Sequence, residues 1–278
     1  MIARVFPRRT TATPDDDYAF VGEPPLFMPN DITEVHISVT FTWDLPAAER
    51  LVRAWERVAP VKIGGPATGM RGEEFTPGMY LKLGYVITSR GCPNDCWFCF
   101  VPEREGYLRE LTVEVGNNVL DDNLLACSDN HIRKVILMLE IAPQPRLLTG
   151  GLEALRFLPW HARALVSAGI TRVYFAYDTP DDLYPLRVAG KIAMAEGLHP
   201  LGQLCAYVLV AYPKDTIEAA QERCLDAARA GFMPYAMPYR GKDGKKAAGW
   251  SRFARTWSRP AATRAELKRL GVINRGKV

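Results

Sequence analysis

The sequence of 278 residues contains no apolar run that approaches the roughly 20 residues required by a membrane-spanning helix. Its start, Met1–Pro7, lacks the hydrophobic region of a secretory signal and is typical of the first strand of a domain. The chain has six cysteines, with only one C-x2-C pair among them. Three of the six belong to a single motif, and this use of cysteine suits a reducing compartment. From these absences we expect a cytoplasmic protein with no membrane segment.

The positive charge of the chain is concentrated at its C-terminus. Residues 240–278 contain 12 Lys and Arg against two acids, which gives this segment +10, so the net +4 of the chain leaves −6 on residues 1–239. Hydrophobic residues make up 48% and charged residues 24%, the balance of a globular protein that buries a core. At this length we expect one large domain, or one domain with a small appendage.

What the chain does have is a compact cysteine motif in residues 89–100, Ser-Arg-Gly-Cys-Pro-Asn-Asp-Cys-Trp-Phe-Cys-Phe. Cys92, Cys96 and Cys99 follow the spacing C-x3-C-x2-C. Three thiolates so close together can hold three irons of a cubane cluster and leave the fourth iron open, whereas such clusters normally take four cysteines. This arrangement predicts that something other than a protein cysteine binds the last iron.

Other uses of three neighbouring cysteines fit the sequence less well. A structural zinc site takes four ligands, usually as two pairs, and only one C-x2-C is present. A disulfide would leave one of the three cysteines over. An electron-carrying ferredoxin would have a fourth cysteine nearby, and the next one along the chain is Cys127.

The motif resembles that of the radical S-adenosylmethionine (radical SAM) superfamily in its spacing, in the aromatic Phe98 before the last cysteine and in the preceding Ser-Arg-Gly. The resemblance implies a [4Fe-4S] cluster on Cys92, Cys96 and Cys99, whose open iron binds the amino and carboxylate groups of S-adenosylmethionine. It further implies an enzyme that cleaves this cofactor reductively to a 5′-deoxyadenosyl radical, which takes hydrogen from a substrate. A one-electron reductant such as a flavodoxin or ferredoxin would then be a partner.

From Leu81 the sequence alternates six strand patterns with helix patterns, which predicts an α/β fold with a parallel sheet. Right-handed crossovers curl such units in one direction. The result is a partial (β/α)6 barrel, the architecture that the resemblance also implies. The six strands are predicted within residues 84–88, 118–125, 146–149, 172–177, 205–210 and 232–238. We therefore expect an N-terminal βαβ appendage and linker (1–78), the barrel (79–240) and a basic, aromatic extension (241–278).

The N-terminal segment shows a strand at Val35–Phe41, a helix at Ala47–Val58 and a short strand at Pro60–Pro66, which together make one βαβ unit. Residues 10–29 are rich in Pro, Asp and Thr and indicate an irregular loop. The unit resembles half of the cobalamin-binding domain that precedes many radical SAM barrels, where a strand also ends in Gly-Gly-Pro. The D-x-H-x-x-G motif of that domain is absent around His36, so we expect a reduced remnant without a tight cobalamin site.

In barrels of this kind the chemistry lies on loops after the carboxyl ends of the strands. The resemblance places Phe98 beside the adenine of S-adenosylmethionine. Gly150 and Gly151, after the third strand, match the Gly-Gly of the family's GGE motif, whose backbone closely approaches the methionine amino group; glycine suits this role because it has no Cβ. The glutamate comes one residue later than in that motif, as Glu153, and a plain helix-leading turn is the alternative.

Charged residues after two strands are further candidates for cofactor binding. Asp178 follows the fourth strand, where the family often places a polar residue on the ribose hydroxyls, and a helix cap is the alternative. Arg90 and Arg104 flank the cysteine loop. They would either meet the methionine carboxylate in a bidentate pair or neutralise an anionic cluster.

The residues that act on the substrate are left open. Asp122, after the second strand, is a candidate for hydrogen bonding to substrate, or a turn residue. Cys127 and Cys205 are candidates for a thiol that relays a radical, although a buried, inert cysteine is the commoner case.

Basic and aromatic residues interleave in the C-terminal extension, which suits phosphate contacts combined with base stacking. The residues concerned are Trp250, Arg252, Phe253, Arg255 and Trp257. The alternative is a helix that packs its aromatic side chains on the open side of the barrel. Three functions remain: a radical SAM enzyme acting on a nucleic acid or nucleotide, one acting on a small molecule or peptide, and a non-catalytic metal-binding module.

Overall fold

The computed structural model describes residues 1–72, 74–241 and 243–273. These residues form two compact units, one of Met1–Gly116 with residues 243 and 244, the other of Asn117–Gly241 with residues 245–273. Both units are of the α/β type with parallel sheets, and the described residues form no closed barrel. The predicted division of the chain at residues 78 and 240 rests on sequence pattern and stays a prediction.

The first unit begins with four strands and one long helix: β1 (Ile2–Phe6), β2 (Ala19–Val21), β3 (Glu34–Ser38), α1 (Leu45–Trp55) and β4 (Val61–Gly64). The strands form a parallel sheet in the order β2-β1-β3-β4. The helix α1 connects β3 to β4, as a parallel pair requires. The predicted βαβ unit is therefore confirmed, and β1 lies where the start of the sequence predicts a strand.

One face of α1 forms the core of the first unit. Ala48, Leu51 and Trp55 recur at helical spacing and are at most 5% exposed. They belong to the same buried cluster as Val35 and Ile37 of β3. Because side chains alternate along a strand, these two β3 residues share one face of the sheet, so the apolar pattern of both elements explains why they pack together.

The irregular loop predicted for residues 10–29 is wrong where β2 occurs. This strand pairs with β1 through three residues, and its own side chains are partly exposed. It lies at the edge of the four-stranded sheet. A three-residue edge strand is too short to show the period of two from which strands are recognised in a sequence.

Residues 71–78, which the composition indicates as a linker, lead into a segment that is bonded to the first sheet. The guanidinium of Arg4, on β1, donates to the carbonyl oxygens of Gly78 and Met79 at 2.7 and 3.3 Å. The backbone N–H of Lys82 donates to the carbonyl of Ala12 at 2.8 Å. The segment before the cysteine motif is therefore anchored rather than free-standing.

The cysteine motif lies among short elements of the first unit. These are β5 (Tyr85–Val86), β6 (Ser89–Arg90), α2 (Val101–Glu105) and β7 (Arg109–Glu110). The strand β5 falls within the predicted first barrel strand. The strands β6 and β7 pair antiparallel, so the chain leaves β6, makes the cysteine loop and α2, and returns along β7.

The second unit contains five parallel strands: β8 (Asn118–Val119), β9 (Leu147–Leu152), β10 (Arg172–Tyr177), β11 (Leu204–Val210) and β12 (Met233–Pro238). They lie side by side in the order of the chain. The connecting helices are α3 (Asp129–Ile141), α4 (Pro159–Ser167), α5 (Leu183–Ala195) and α6 (Ile217–Arg229). The predicted parallel sheet, with helices between its strands, is confirmed for these elements.

The two faces of this sheet differ in polarity. Along β10, Val173, Phe175 and Tyr177 are 0–1% exposed, and the ring of Phe175 lies 5.1 Å from that of Phe232. The alternate residues Arg172 and Tyr174 point to the opposite face and are partly exposed. One face therefore forms the apolar core, while the other presents polar and aromatic side chains.

Two further helices follow the sheet, α7 (Ser251–Trp257) and α8 (Pro260–Arg269), and both pack against β12. Phe253 and Trp257 are buried, with 7% and 2% exposure. These two side chains therefore serve packing, which is the alternative considered for them, and Arg252 remains exposed beside them. None of the helices in the described ranges combines the length and the apolarity needed to cross a bilayer.

Candidate functional site

The loop that carries the cysteines begins at Gly91, directly after β6. Gly91 has φ +83°, and a Cβ at this position would overlap the carbonyl oxygen of Tyr107. Only glycine fits this turn, because it tolerates positive φ and has no Cβ. Cys92, Cys96 and Cys99 follow it, and each of them is partly exposed.

The sulfur atoms of Cys92 and Cys99 each accept a hydrogen bond from the loop backbone. The amide nitrogen of Asn94 lies 3.5 Å from Sγ of Cys92, and that of Val101 lies 3.4 Å from Sγ of Cys99. Hydrogen bonds to the charged form of a group stabilise that form, and they also tune the potential of iron–sulfur clusters. The backbone of the loop therefore directs N–H groups at the sulfur atoms of Cys92 and Cys99.

The donor set of the loop fits an iron–sulfur cluster in its chemistry, since cysteine thiolates are the usual ligands of such clusters. Within the described ranges, however, no three His, Cys, Asp or Glu side chains are grouped so that they could hold a metal ion. Residues 91–100 contain no helix or strand. Binding a cluster would require this irregular backbone to draw the three sulfur atoms together.

Two aromatic residues precede the last cysteine. The rings of Trp97 and Phe98 contact each other edge to face, with centroids 5.4 Å apart. Trp97 is 60% exposed, while Phe98 is partly buried. Phe98 is thus oriented by its neighbour and keeps an accessible surface, as a residue that contacts an adenine would need.

Glu105, the last residue of α2, was not recognised in the sequence and organises the arginines beside the loop. It is 1% exposed, and its carboxylate pairs with Arg90 at 3.5 Å, Arg104 at 3.0 Å and Arg109 at 3.1 Å. Its Oε2 also accepts a hydrogen bond of 3.3 Å from the backbone N–H of Gly72. The only signal in the sequence is the spacing of Glu105 and Arg109, four residues apart.

The three arginines keep the Glu105 carboxyl in its charged form. Burial would raise the pKa of Glu105, but Arg90, Arg104 and Arg109 outweigh it and hold the pKa of this carboxyl below its ordinary value. One carboxylate thus faces three guanidinium groups next to the cysteine loop. Positive charge lowers the cost of thiolates and of an anionic cluster.

Gly150 and Gly151 lie inside β9, whereas the sequence places them after the third strand; that expectation is wrong because β9 continues to Leu152. The pairing of β9 with β10 shifts register here. A Cβ on Gly150 would overlap the backbone of Asp121. Gly151 has φ +88°, and a Cβ added at this position would lie 3.6 Å from the ring of Tyr207. The first glycine therefore permits close backbone packing, and the second permits an irregular conformation.

Asp178 follows β10 and does not cap the turn that comes next. The carboxylate of Asp182 accepts hydrogen bonds from the backbone N–H groups of Asp178 and Thr179, at 3.0 and 2.7 Å, and from the Thr179 hydroxyl at 3.0 Å. Burial, followed by the nearby Asp182 charge, raises the pKa of Asp178 to about 7. Asp178 therefore does not supply the cap of this turn, and its burial favours the protonated form of the carboxyl.

Glu153 belongs to a polar group that joins the ends of two strands. Its Oε2 accepts hydrogen bonds of 2.7 Å from the Asn123 side-chain amide and from Nε of Arg156. Asn123 is 3% exposed, and Asp122 beside it is partly exposed. Glu153 comes just before a 3₁₀ turn at Ala154–Arg156 but makes no capping hydrogen bond there.

The polar face of the second sheet carries three tyrosines that no motif in the sequence marks. The rings of Tyr174 and Tyr207 are stacked 4.6 Å apart, and both lie edge to face with Tyr235. The hydroxyl of Tyr207 donates to the carbonyl oxygen of Thr149 at 3.1 Å. Burial raises the pKa of Tyr207 above its ordinary value. The register that aligns Tyr207 with Tyr235 is invisible in an isolated sequence.

The three remaining cysteines are buried. Cys127, Cys205 and Cys224 are 8%, 4% and 0% exposed. Burial raises the pKa of Cys205 to about 11. Cys205 is the second residue of β11, so it lies near the amino edge of the sheet, whereas Asp178 follows the carboxyl end of β10. The structure thus places Cys205 at the edge of the sheet opposite to Asp178 and Glu153.

Comparison with known proteins gives no family for this chain. No protein-family model matches the sequence, and no curated protein matches it significantly.

Proposed function

We propose that the chain is a radical SAM enzyme. The observation that carries this proposal is the single loop with Cys92, Cys96 and Cys99, in which the sulfur atoms of Cys92 and Cys99 accept hydrogen bonds from the loop backbone. The three guanidinium groups around Glu105 support it, because nearby positive charge favours thiolates at the adjacent cysteines. No fourth protein ligand is required, since three thiolates leave one iron for the cofactor.

In this proposal the three cysteines hold a [4Fe-4S] cluster, and S-adenosylmethionine occupies the remaining iron. When bound, this pair of cofactors supplies reductive cleavage to a 5′-deoxyadenosyl radical, while the protein supplies positioning and exclusion of water. Phe98 contacts the adenine. Arg104, already held on one side by Glu105, adds positive charge beside the loop.

We also propose how the strands of the chain are arranged in a barrel. The strand β5 and the five strands of the second unit would be the six strands of a partial (β/α)6 barrel of the radical SAM type. The roles that the family resemblance implies for Gly150, Gly151, Glu153 and Asp178 as cofactor-binding residues stay predictions. So do a cytoplasmic location and a one-electron reductant such as a flavodoxin or ferredoxin.

The decisive experiment is anaerobic reconstitution of the full-length chain with iron and sulfide. We expect the wild-type protein to bind iron and acid-labile sulfide, to show a cluster signal by electron paramagnetic resonance after reduction, and to form 5′-deoxyadenosine from S-adenosylmethionine. Single Cys→Ser changes at Cys92, Cys96 and Cys99 should abolish both the cluster signal and the product. Cys224→Ala, which removes one buried thiol on α6, is the matched control and should retain both.

Two outcomes would overturn the proposal in different ways. Iron binding that is equal in the wild type and in the three serine variants would mean that these cysteines are not the ligands. A cluster without any 5′-deoxyadenosine under strong reductant would favour the non-catalytic metal-binding module. Once the product is seen, deuterated nucleotides, peptides and small molecules can be tested for transfer of deuterium into it, which identifies the substrate class.

A further inference from the structure

A concave pocket lies in the second unit at the amino edge of the sheet, away from Asp178 and Glu153. It is formed by the first residues of β10, β11 and β12, the loop before β11 and the start of α8. Its lining includes Arg172, Tyr174, Leu201, Cys205, Tyr235 and Arg264. No aspartate or glutamate is among the lining residues.

The two arginines give this pocket a positive charge that the described residues do not neutralise. Neither Arg172 nor Arg264 forms an ion pair with any residue in the described ranges. The Nε atom of Arg172 is buried and has no hydrogen-bond acceptor within that part of the chain. A buried donor without an acceptor is rare in proteins, and such a donor often marks the place where a ligand or an ion binds.

The surrounding groups hold the arginines in place and add donors. One terminal nitrogen of Arg264 donates to the carbonyl oxygen of Leu201 at 3.2 Å, which fixes this guanidinium but leaves its charge uncompensated. Tyr174 and Tyr235 contribute hydroxyl groups and flat apolar walls. Cys205 is only 4% exposed. The pocket thus combines two guanidinium groups, two phenols and a thiol, all of which can donate hydrogen bonds.

We propose that this pocket binds an oxyanion, namely the phosphate or carboxylate group of a small molecule or the free inorganic ion. Planar guanidinium groups match the oxygens of both anions in bidentate geometry. A concave site with mainly apolar walls and a few convergent polar groups is the common form of a small-molecule site. An oxyanion here would give the buried Arg172 Nε its acceptor and neutralise both arginines.

This site does not depend on the proposed radical SAM activity. Chemistry in parallel α/β sheets lies at the carboxyl ends of the strands, whereas Arg172, Cys205 and Met233 are at the amino ends of theirs. Within the second unit, the pocket is therefore a binding site separate from the strand ends that carry Asp178 and Glu153. Failure of one proposal leaves the other standing.

The test is a titration of the full-length protein with inorganic phosphate, acetate and phenyl phosphate, followed by calorimetry and thermal unfolding. Chloride at matched ionic strength is the reference. We expect at least one of the three anions to bind and to raise the unfolding temperature more than chloride does. Arg172→Gln and Arg264→Gln should each weaken this binding about tenfold or more, the loss expected for one charge-assisted contact.

The control variant is Arg269→Gln, which removes the same charge from the same helix. Arg269 is exposed, lies outside the pocket and pairs with Glu266, so binding should be unchanged. If Arg172→Gln does not fold, Arg264→Gln carries the test, because its side chain is only partly buried. Stabilisation by all three anions no greater than by chloride, or equal binding in the two pocket variants and in the control, would overturn the proposal.

Discussion

The backbone N–H of Asp178 donates a hydrogen bond of 3.0 Å to the carboxylate of Asp182. The Asp182 carboxylate thus lies beside the backbone of Asp178, and its charge acts on the Asp178 carboxyl. Asp182 accepts hydrogen bonds from three donors. Asp178 is partly buried, and burial together with the nearby Asp182 raises the pKa of its carboxyl.

The first prediction concerns the pH dependence of stability. The pKa of Asp178 rises from about 4 in the unfolded chain to about 7 in the fold, so the folded state binds the proton more tightly. Stability from this residue is present below pH 4 and is lost as the pH rises towards and through 7. Asp178→Asn should remove this loss and stabilise the protein at pH 8 by about 2–4 kcal/mol.

The measurement is urea unfolding of the wild type and the variant from pH 4 to pH 8. Asp181→Asn, at an exposed position three residues away, is the control and should follow the wild-type curve. Parallel pH profiles for wild type and Asp178→Asn would show that this carboxyl titrates normally.

The second prediction concerns Glu105. Glu105→Gln removes the buried carboxylate that pairs with Arg90, Arg104 and Arg109, and leaves three guanidinium groups close together. Breaking a buried ion pair by removing one partner is strongly destabilising, and we expect a loss of about 2–4 kcal/mol in the free energy of unfolding. Glu103→Gln changes an exposed acid on the same helix and should cost much less. Equal losses in a denaturant titration would mean that the network adds no stability.

The third prediction separates two reasons for glycine in β9. Gly150→Ala should cost about 3 kcal/mol, because the new methyl group overlaps the backbone of Asp121. Gly151→Ala makes only an ordinary contact with the Tyr207 ring but has φ +88°, so only the backbone penalty of about 1–2 kcal/mol applies.

The matched control for the backbone penalty is Gly197→Ala, at φ +106° with no atom within 4 Å of the new Cβ. Chemical denaturation of the three variants should rank Gly150→Ala as the least stable and the other two as similar. A Gly150→Ala protein as stable as the Gly197→Ala protein would contradict the steric argument.

The fourth prediction tests nucleic-acid binding by the C-terminal helices. Since Phe253 and Trp257 are buried, the parts of this set that can meet a nucleic acid are the exposed cations and the partly exposed Trp250. Replacing Arg252, Arg255 and Arg259 by Gln should lower the slope of log affinity against log salt for single-stranded RNA by about 2, which is roughly 0.7 per lost contact.

The control for this experiment is a triple Gln variant at Arg53, Arg163 and Arg187, which are outside these helices. It should leave the salt slope unchanged. Absence of salt-dependent RNA affinity in the wild-type protein would end the nucleic-acid hypothesis.

Much of the fold could be predicted because its strands carry strong local patterns. The strand β10 has the predicted bounds, since Val173, Phe175 and Tyr177 alternate with more polar residues and turn signals follow. Gly150 is expected after its strand because a Gly-Gly pair normally marks a turn, whereas β9 absorbs both glycines through a register shift. The residues around Gly150 alone cannot reveal this register shift, because the shift depends on how β9 pairs with β10.

The candidate sites were predictable only where residues are close in sequence. The cysteine spacing is visible directly, while the partners of Glu105 come from three different elements and from Gly72. The stacked tyrosines require the register of β10, β11 and β12. The two arginines of the oxyanion pocket are 92 positions apart in the chain, and only tertiary packing brings them to one cavity.

The hydrogen bond from Gly72 to Glu105 bears on how this protein can be divided for experiments. A fragment that starts at residue 79 would lose this bond, the contact of Arg109 with the Gly72 carbonyl at 3.1 Å and the Arg4 bond to Met79. Truncation at that point would therefore expose a buried carboxylate and loosen the support of the cysteine loop. A fragment that is meant to retain Cys92, Cys96 and Cys99 should therefore also contain the whole N-terminal region that supports their loop.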